Sequence, residues 1–342
     1  MSDLIKHFIV ILFSLLFILP ATAKDNATSD IQTEHLVEAT VLYDEIYNID
    51  MADGHYTVSV ELLMSWEDDT ASFLNQFGDN IIHGKDMDNF LETIWYPEFF
   101  VSNAEYPRIT HYKTLDVLNG RYELFERFDV QLSIDAEMPK FPFGELDLFM
   151  DIAAFSGNVH LMRFNPQDVF LGHHDAKHRV IKGNWVEKSK SMEEEMRTSL
   201  NHGGNEKFSY LISHVLVSYN PLTATWKILV PLLSVMILSI LFNFVINDKK
   251  IQLQATLFLT IPALKFAIAS ELPSTSYLTI ANWLFLFANF IVFINLVICF
   301  IESYAKESNS PAILIKIDYY AKISVPIIFF VFLIFIGAQL FN

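Results

Sequence analysis

Residues 250–276, KIQLQATLFLTIPALKFAIASELPSTS, form an apolar segment in which polar side chains recur at nearly every helical turn. Three further apolar stretches lie near this segment, at about 226–246, 278–301 and 315–341. Each of these stretches, like residues 251–269, is long enough to cross a hydrocarbon core of about 30 Å as a helix. The sequence therefore predicts four transmembrane helices.

The composition indicates a membrane protein that also has a soluble part. Hydrophobic residues make up 52% of the 342 residues, more than an ordinary soluble domain contains. Residues 24–222 carry 34 acidic and 15 basic side chains, whereas residues 223–342 carry only 5 acidic and 7 basic ones. The formal charge of −17 argues against nucleic acid as a partner, because the phosphate backbone binds basic surfaces. The single cysteine, Cys299, excludes an intrachain disulfide.

The first 23 residues have the pattern of a signal peptide. They contain Lys6, then an apolar run over 8–19, and they end in Ala21-Thr22-Ala23. The alternative is an uncleaved anchor, although the run is short for a bilayer span. With the following domain exported, Lys249 and Lys250 fall on the cytoplasmic side, in agreement with the positive-inside rule.

Apolar and polar side chains alternate in several segments of the exported part. This period of two predicts half-buried strands, most clearly over 55–66, 129–138, 145–152 and 208–219. Strands repeated over this length predict an antiparallel β-sandwich. The expected fold is thus α+β, with three parts: a signal peptide at 1–23, a sandwich at 24–222 and a four-helix transmembrane domain at 223–342.

The second apolar segment differs from its neighbours because one of its faces is partly polar. A ring of Asp248 carboxylates would attract cations at the inner mouth of a pore, and Gln252 and Thr256 would replace part of an ion's hydration shell. One helix cannot enclose a channel, so several copies must surround an axis. The alternative is that the stripe packs against another helix. Seven residues spaced by three or four form the predicted pore-lining stripe: Asp248, Gln252, Thr256, Leu259, Ala263, Phe266 and Ser270.

Two other residues of this segment need separate interpretations. Pro262 lies in mid-helix and predicts a kink. Lys265 lies beside the stripe, where a charge requires water or a partner, and we expect it to reach the outer vestibule. There its charge would oppose the passage of cations.

Five short motifs follow one another along the chain, and together they resemble a known family. They are residues 94–98 (IWYPE), Phe141-Pro142-Phe143, Trp185-Val186, Pro231 ten residues after Pro221, and the segment 250–276. In order and spacing they resemble the pentameric ligand-gated ion channels, which include the Cys-loop neurotransmitter receptors and their bacterial relatives. The resemblance covers nearly the whole chain after residue 23.

The resemblance implies a homopentameric channel that needs no cofactor and performs no enzymatic reaction. Ile134 and Leu148 stand where Cys-loop receptors carry their two loop cysteines, and the link at 302–316 is short. Both features are typical of the prokaryotic branch. The implied location is a bacterial inner membrane, with the N-terminal domain on the periplasmic or extracellular side. The implied partners are the lipid bilayer and monovalent cations.

The resemblance also implies an agonist site between subunits, and its positions fall on particular residues here. Aromatic positions fall on Phe155 and Phe208, with Tyr210 beside the latter. Ser102 and Glu61 stand where familiar receptors carry aromatic residues, which argues against the familiar neurotransmitters. Aromatic faces near a carboxylate suit a small organic amine. The alternative for each phenylalanine is a place in the sandwich core.

Gating by protons is a second hypothesis for the trigger. The chain has 11 histidines, including His173, His174 and His178 in one predicted loop. Histidine titrates near neutral pH and can bias a two-state element. These side chains are also compatible with an ordinary solvated loop, and zinc binding lacks a fixed scaffold there.

Coupling between the two domains is expected at their junction. The candidates are Phe141, Pro142 and Phe143 in the loop that resembles the signature loop, and Pro273 in the link 273–277. Tyr219 stands before the first span, where family members usually carry arginine. An ion pair expected there in the family is therefore not expected here.

Other classes of membrane protein fit the sequence less well. A transporter usually shows paired repeats and interrupted helices, and the sequence contains no repeat. A membrane-anchored periplasmic solute-binding or sensor protein without conduction is the main alternative. An enzyme is not expected, since neither a nucleophile–base set nor a metal-ligand spacing stands out.

Overall fold

The protein is described from a computed structural model. The structure describes residues 34–74, 80–118, 120–135, 138–172, 178–198, 206–244, 249–269, 272, 277–308 and 311–341. The predicted signal peptide at 1–23 lies outside these residues.

Ten strands form two sheets that pack face to face. The strands are β1 (His35–Asp50), β2 (His55–Glu67), β3 (Asn80–His83), β4 (Phe99–Val101), β5 (Ile109–Leu118), β6 (Arg121–Ser133), β7 (Glu145–Ala154), β8 (Met162–Leu171), β9 (Trp185–Thr198) and β10 (Lys207–Tyr219). The first sheet has the order β3-β5-β6-β2-β1-β8 and the second the order β4-β7-β10-β9. Two tyrosines connect the sheets, since Tyr43 Oη donates to Ser213 Oγ at 3.1 Å and Tyr56 Oη donates to the Phe149 carbonyl at 2.7 Å.

The alternation in the sequence decides which face of each strand is buried. In β2 every second side chain from Tyr56 to Trp66 is buried, and β7 and β10 bury their apolar positions in the same way. The predicted strands at 55–66, 145–152 and 208–219 are therefore confirmed. Burial of such side chains stabilises the fold by about 1.5–3 kcal/mol for each large aliphatic or aromatic residue.

Two details of the predicted sandwich are wrong. Strands β1 and β8 pair in parallel, so the sandwich is not wholly antiparallel. This is possible because β7 and β8 lie in different sheets, and no tight hairpin forces the direction of β8. The predicted strand at 129–138 ends earlier, at Ser133, because the Ile134 amide turns to the Gly54 carbonyl at 2.8 Å.

Helices follow the sandwich directly. Two short helices, α1 (Asp69–Leu74) and α2 (Lys85–Leu91), lie between strands. After β10 come α3 (Pro221–Phe244), α4 (Lys250–Ala267), α5 (Ile280–Glu307) and α6 (Pro311–Phe341). Asn220 caps α3 through its Oδ1, which accepts from the amides of Leu222 and Thr223. Pro221 occupies the first turn, where a missing amide hydrogen costs nothing.

Three of these helices, α3, α5 and α6, are long and apolar enough to cross a membrane among the residues described. This is consistent with a membrane protein. The sequence predicts four spans, and the difference is α4, which has 18 residues and is less apolar because of its polar side chains and lysines. Whether α4 also spans the bilayer is therefore part of the functional proposal below.

Candidate functional site

One face of α4 is left uncovered by the part of the chain that the structure describes. The predicted stripe residues that the structure describes all lie on this face, and Leu259 and Phe266 are 70% and 81% exposed. Asp248 and Ser270, the two ends of the predicted stripe, lie outside the described residues. The uncovered stripe extends over about 21 Å of helix at 1.5 Å per residue. Its described members, all exposed, are Gln252, Thr256, Leu259, Ala263 and Phe266.

The opposite face of α4 packs into the helical bundle through a polar network. Gln254 is fully buried, accepts from Ser239 Oγ at 2.7 Å and donates to the Ser239 carbonyl at 2.8 Å. Asn295 on α5 donates to the same Ser239 Oγ at 2.7 Å, and Asn243 donates to Asn295 at 2.8 Å. These bonds fix the rotation of α4 against α3 and α5. They explain why Gln252, two residues earlier, must point the other way.

The lysines and the proline of α4 lie near the ends of the helix or on its uncovered face. Lys250 lies 3.3 Å from Glu302 on α5, and both side chains are largely buried. Pro262 and Lys265 are exposed in the single chain. Thr256 turns its hydroxyl back to the Gln252 carbonyl at 2.9 Å, which satisfies that group within the helix.

The loop at 138–143, between β6 and β7, makes hydrogen bonds to the start of α5 and to the residues just before it. The Met138 amide donates to Tyr277 Oη at 2.6 Å, and the Ala281 amide donates to the Phe141 carbonyl at 3.0 Å. A third bond runs from the Ile280 amide to the Pro139 carbonyl at 3.2 Å. The sequence predicts that coupling passes through this loop and the link 273–277. In the structure the loop contacts Tyr277 of that link and the first turn of α5, whereas Pro273 lies outside the described residues.

An aromatic stack supports the same junction from the sandwich side. Phe141 is fully buried, and its ring meets that of Tyr219 at 5.6 Å. Tyr219 in turn meets Trp185 at 5.4 Å. Pro142 is buried and Phe143 is half-buried. Tyr219 therefore takes part in an aromatic contact at a position where the family resemblance would place an ion pair.

The predicted ligand residues of the second sheet lie on the face that points away from the core. Strand pairing places Phe100 and Tyr210 on either side of Ala153, which alternates with the core residues of β7 but is itself buried. Phe155 follows β7 directly and is 67% exposed, with its ring 6.2 Å from that of Phe100. Phe208 belongs to the same outward-facing set of β10. Phe155 is thus a surface residue and not part of the core.

A cation of the chain itself already covers Tyr210. The Arg197 guanidinium lies 4.8 Å from the centre of the Tyr210 ring and pairs with Asp151 and Glu195. Arg197 is opposite Phe208 in the pairing of β9 with β10. An amine ligand would therefore find the Tyr210 face occupied, and Phe155 is the more accessible ring.

The remaining two predicted ligand residues lie in different places. Ser102 is exposed beside the second sheet, where its amide donates to the Asp151 carbonyl at 2.7 Å. Glu61 lies on the outward face of β2, in the other sheet, with Arg127 Nη1 at 3.7 Å. The single chain does not bring Glu61 together with Phe155.

A cavity of about 350 Å³ opens beside Phe155. Its walls include Tyr96, Glu98, Phe100 and Phe155. Tyr96 Oη donates to Glu98 Oε1 at 2.6 Å. This hydrogen bond, with some burial, raises the pKa of Tyr96 to about 12. The phenol therefore remains protonated at neutral pH and keeps the carboxylate of Glu98 fixed at the cavity wall.

The histidines have varied surroundings. His173 and His174 lie outside the described residues, and His178 lies 3.9 Å from Glu45. His214 lies on the outward face of the second sheet, with Nδ1 2.7 Å from Asp147 and Nε2 3.7 Å from Glu193. Among the described residues no group of three or more His, Cys, Asp or Glu is arranged to hold a metal ion.

The chain matches no known family model and has no significant match among curated proteins. The functional interpretation therefore depends on the residues themselves. Sequence reasoning missed three residues of these sites: Gln254, which fixes α4, Arg197, which covers Tyr210, and Glu126, which lines the cavity beside Phe155. Of these, only Glu126 gives a local signal, since it stands at an inward position of β6 between Leu124 and Phe128.

Proposed function

We propose that the chain is a subunit of a homopentameric, ligand-gated, cation-conducting channel. In this proposal four helices of each subunit cross a bacterial inner membrane, and α4 lines the pore. The sandwich lies outside the cytoplasm and senses the trigger, a small amine or a change of pH.

The observation that carries the proposal is the uncovered face of α4. The stripe residues on this face are polar near the start of the helix, at Gln252 and Thr256, and apolar beyond, at Leu259 and Phe266, with the exposed Lys265 beside them. Lipid is a poor environment for the amide of Gln252, because a polar group in hydrocarbon costs several kcal/mol, about 2–7 depending on the reference. A face of this kind suits a narrow water-filled pore, in which polar rings contact ions and apolar rings form a gate.

The junction supports a gated channel over a passive pore. The loop at 138–143 contacts Tyr277 and the first turn of α5, and α5 holds α4 through the network of Asn295, Ser239 and Gln254. A change in the sandwich thus has a continuous path of contacts to the pore helix. Such contiguity is a physical route for coupling, and the recordings below test whether it is used.

The proposal predicts stimulus-dependent cation currents. Purified chain reconstituted in planar bilayers should conduct when propylamine is applied or when pH is stepped, and the reversal potential should follow a sodium gradient. Asp248→Ala should move the reversal potential away from the sodium value, because the predicted ring of carboxylates at the inner mouth is removed. An unchanged reversal potential would mean that Asp248 does not determine the ion selectivity of the channel. Absence of current from correctly assembled protein would favour the anchored periplasmic binding or sensor protein.

The same recordings distinguish the two triggers. Loss of the propylamine response in the double variant Phe155→Ala, Phe208→Ala would support the amine site, and an unchanged response would reject it. His214→Gln tests proton gating, because His214 lies between the carboxylates of Asp147 and Glu193. A pH response that persists in His214→Gln would exclude this histidine as the sensor.

A further inference from the structure

Two basic side chains stand next to the carboxylate that is predicted to attract cations. Lys249 and Lys250 follow Asp248 directly in the sequence. A ring of negative charge at the mouth of a pore attracts cations, whereas a ring of positive charge repels them. Asp248 alone would set one negative charge against two positive ones at the proposed inner mouth. Conduction of cations is therefore favoured only if at least one of the two lysine charges is kept away from the ions.

The structure shows where the Lys250 side chain goes. Gln254 follows Lys250 by one helical turn, and it is fully buried against Ser239. Gln252, only two residues after Lys250, is exposed on the uncovered face, so the side chains of these two residues point in different directions. The Lys250 side chain is only 15% exposed, although it belongs to a lysine in the first turn of a helix. The rotation of α4 thus directs this lysine into the bundle.

A glutamate of α5 receives the lysine there. Lys250 Nζ donates to Glu302 Oε2 at 3.3 Å, and the Glu302 side chain is only 11% exposed. Glu302 lies about two helical turns after Asn295, whose amide bonds Ser239, so both residues lie on the side of α5 that faces α3 and α4. Charged side chains among membrane helices are costly unless they pair with one another. The pair satisfies both charges and leaves no net charge in the bundle.

The pair lies at the ends of its two helices, and this location determines what its loss would do. Lys250 is the first residue of α4, and Glu302 lies near the end of α5, which continues to Glu307. An unpaired ammonium group in an apolar bundle extends its flexible stem toward water. At this end of α4 the proposed inner mouth of the pore supplies that water. The charge of Lys250 would then join that of Lys249 in the path of the ions.

We propose that Glu302 helps to set the charge selectivity of the channel without contacting the permeating ions. Its carboxylate holds the Lys250 ammonium group in the bundle and so preserves the effect of the predicted ring of Asp248 carboxylates. Glu302 is thus a positioning residue that acts through Lys250. This inference rests on the proposed cation channel, and it adds a residue of α5 to the predicted determinants of selectivity on α4.

Bilayer recording of Glu302→Gln under a sodium chloride gradient tests the inference. Glutamine keeps the shape of the side chain but removes the charge that holds Lys250. We expect the permeability of chloride relative to sodium to rise at least about threefold. The double variant Lys250→Met, Glu302→Gln should return this ratio to the wild-type value, because no ammonium group remains to be released. An unchanged ratio in Glu302→Gln would overturn the inference, and so would a double variant that keeps the altered ratio.

Two further variants control for the charge and for folding. Glu307→Gln removes the same charge from an exposed position at the end of α5, and its permeability ratio should equal that of the wild type. The exchange Lys250→Glu, Glu302→Lys keeps a buried ion pair and decides the question if Glu302→Gln fails to fold. Its sodium conductance should match that of the wild type, because neither charge reaches the pore. A higher sodium conductance would mean that the side chain at position 250 acts on the ions directly, which contradicts the inference.

A measurement without conduction tests the ion pair itself. In mixed micelles with increasing sodium dodecyl sulfate, the double variant Lys250→Met, Glu302→Gln should lose less stability than the sum of the losses in the two single variants. Additive losses would contradict the pair. The absence of stimulus-evoked current from assembled wild-type protein would overturn the channel proposal and this inference together. A cation-selective wild type with an unchanged permeability ratio in Glu302→Gln would overturn this inference alone.

Discussion

Phe141→Ala is expected to lower the free energy of unfolding by about 3–5 kcal/mol, the usual range for removing a buried phenylalanine ring. The ring is fully buried at the junction and packs on Tyr219. The same change should reduce stimulus-evoked current, because the loop that contacts α5 loses its anchor. Chemical unfolding followed by circular dichroism measures the first effect, and bilayer recording measures the second.

Two further variants separate coupling from stability in this test. Phe170→Ala is the stability control, since Phe170 is 45% exposed on β8. Its unfolding free energy should change far less than that of Phe141→Ala. Tyr277→Phe removes only the hydroxyl that accepts from the Met138 amide at 2.6 Å. For Tyr277→Phe we expect a smaller stimulus-evoked current, together with a loss of at most about 1 kcal/mol in the free energy of unfolding. Normal gating in Tyr277→Phe and in folded Phe141→Ala would exclude this route of coupling.

Gln254→Leu is expected to destabilise the helical bundle by about 1–2 kcal/mol, in the range of polar contacts between membrane helices. The substitution keeps the approximate volume of the side chain but removes both bonds to Ser239. Unfolding in mixed micelles with increasing sodium dodecyl sulfate measures the effect. The double variant Gln254→Leu, Ser239→Ala should lose less free energy of unfolding than the sum of the losses in the two single variants, because both substitutions remove the same contact.

The chain provides a matched control for this prediction. Gln252→Leu is the same substitution two residues earlier, on the exposed face of α4. Its stability should change by no more than about 0.5 kcal/mol, while its conductance should fall, because a polar ring of the proposed pore becomes apolar. Equal destabilisation by the two substitutions would mean that α4 is not held in the observed rotation.

The sequence predicts the elements in which a simple period decides the outcome. The period of two in β2, β7 and β10 identifies their buried faces. The spacing of three and four identifies one face of α4, and the described stripe residues, such as Gln252 and Phe266, do share an exposed face. What this face does remains a prediction, and its ends at Asp248 and Ser270 lie outside the described residues.

The features that the sequence does not predict depend on contacts between distant residues. Gln254 bonds Ser239, which is 15 positions away, and Asn295 bonds the same Ser239 from 56 positions away. No local pattern identifies these partners. Arg197 covers Tyr210 only because β9 and β10 pair in one register. The parallel pairing of β1 and β8 likewise follows from a crossing between sheets. The periodicity of the sequence predicts which face of a strand or helix is buried, whereas the contact partners of a side chain can be identified only in the folded structure.

Modification of Thr256→Cys by a cationic methanethiosulfonate reagent during recording tests the central claim, that α4 lines a conducting pore. The only native cysteine, Cys299, is buried and therefore shielded from the reagent. Ile334→Cys on α6 is the control, because Ile334 is 73% exposed but belongs to an apolar helix that does not line the proposed pore. The account predicts that the reagent suppresses most of the stimulus-evoked current in Thr256→Cys and none in Ile334→Cys. A Thr256→Cys current that the reagent leaves unchanged would contradict a pore lined by this face of α4.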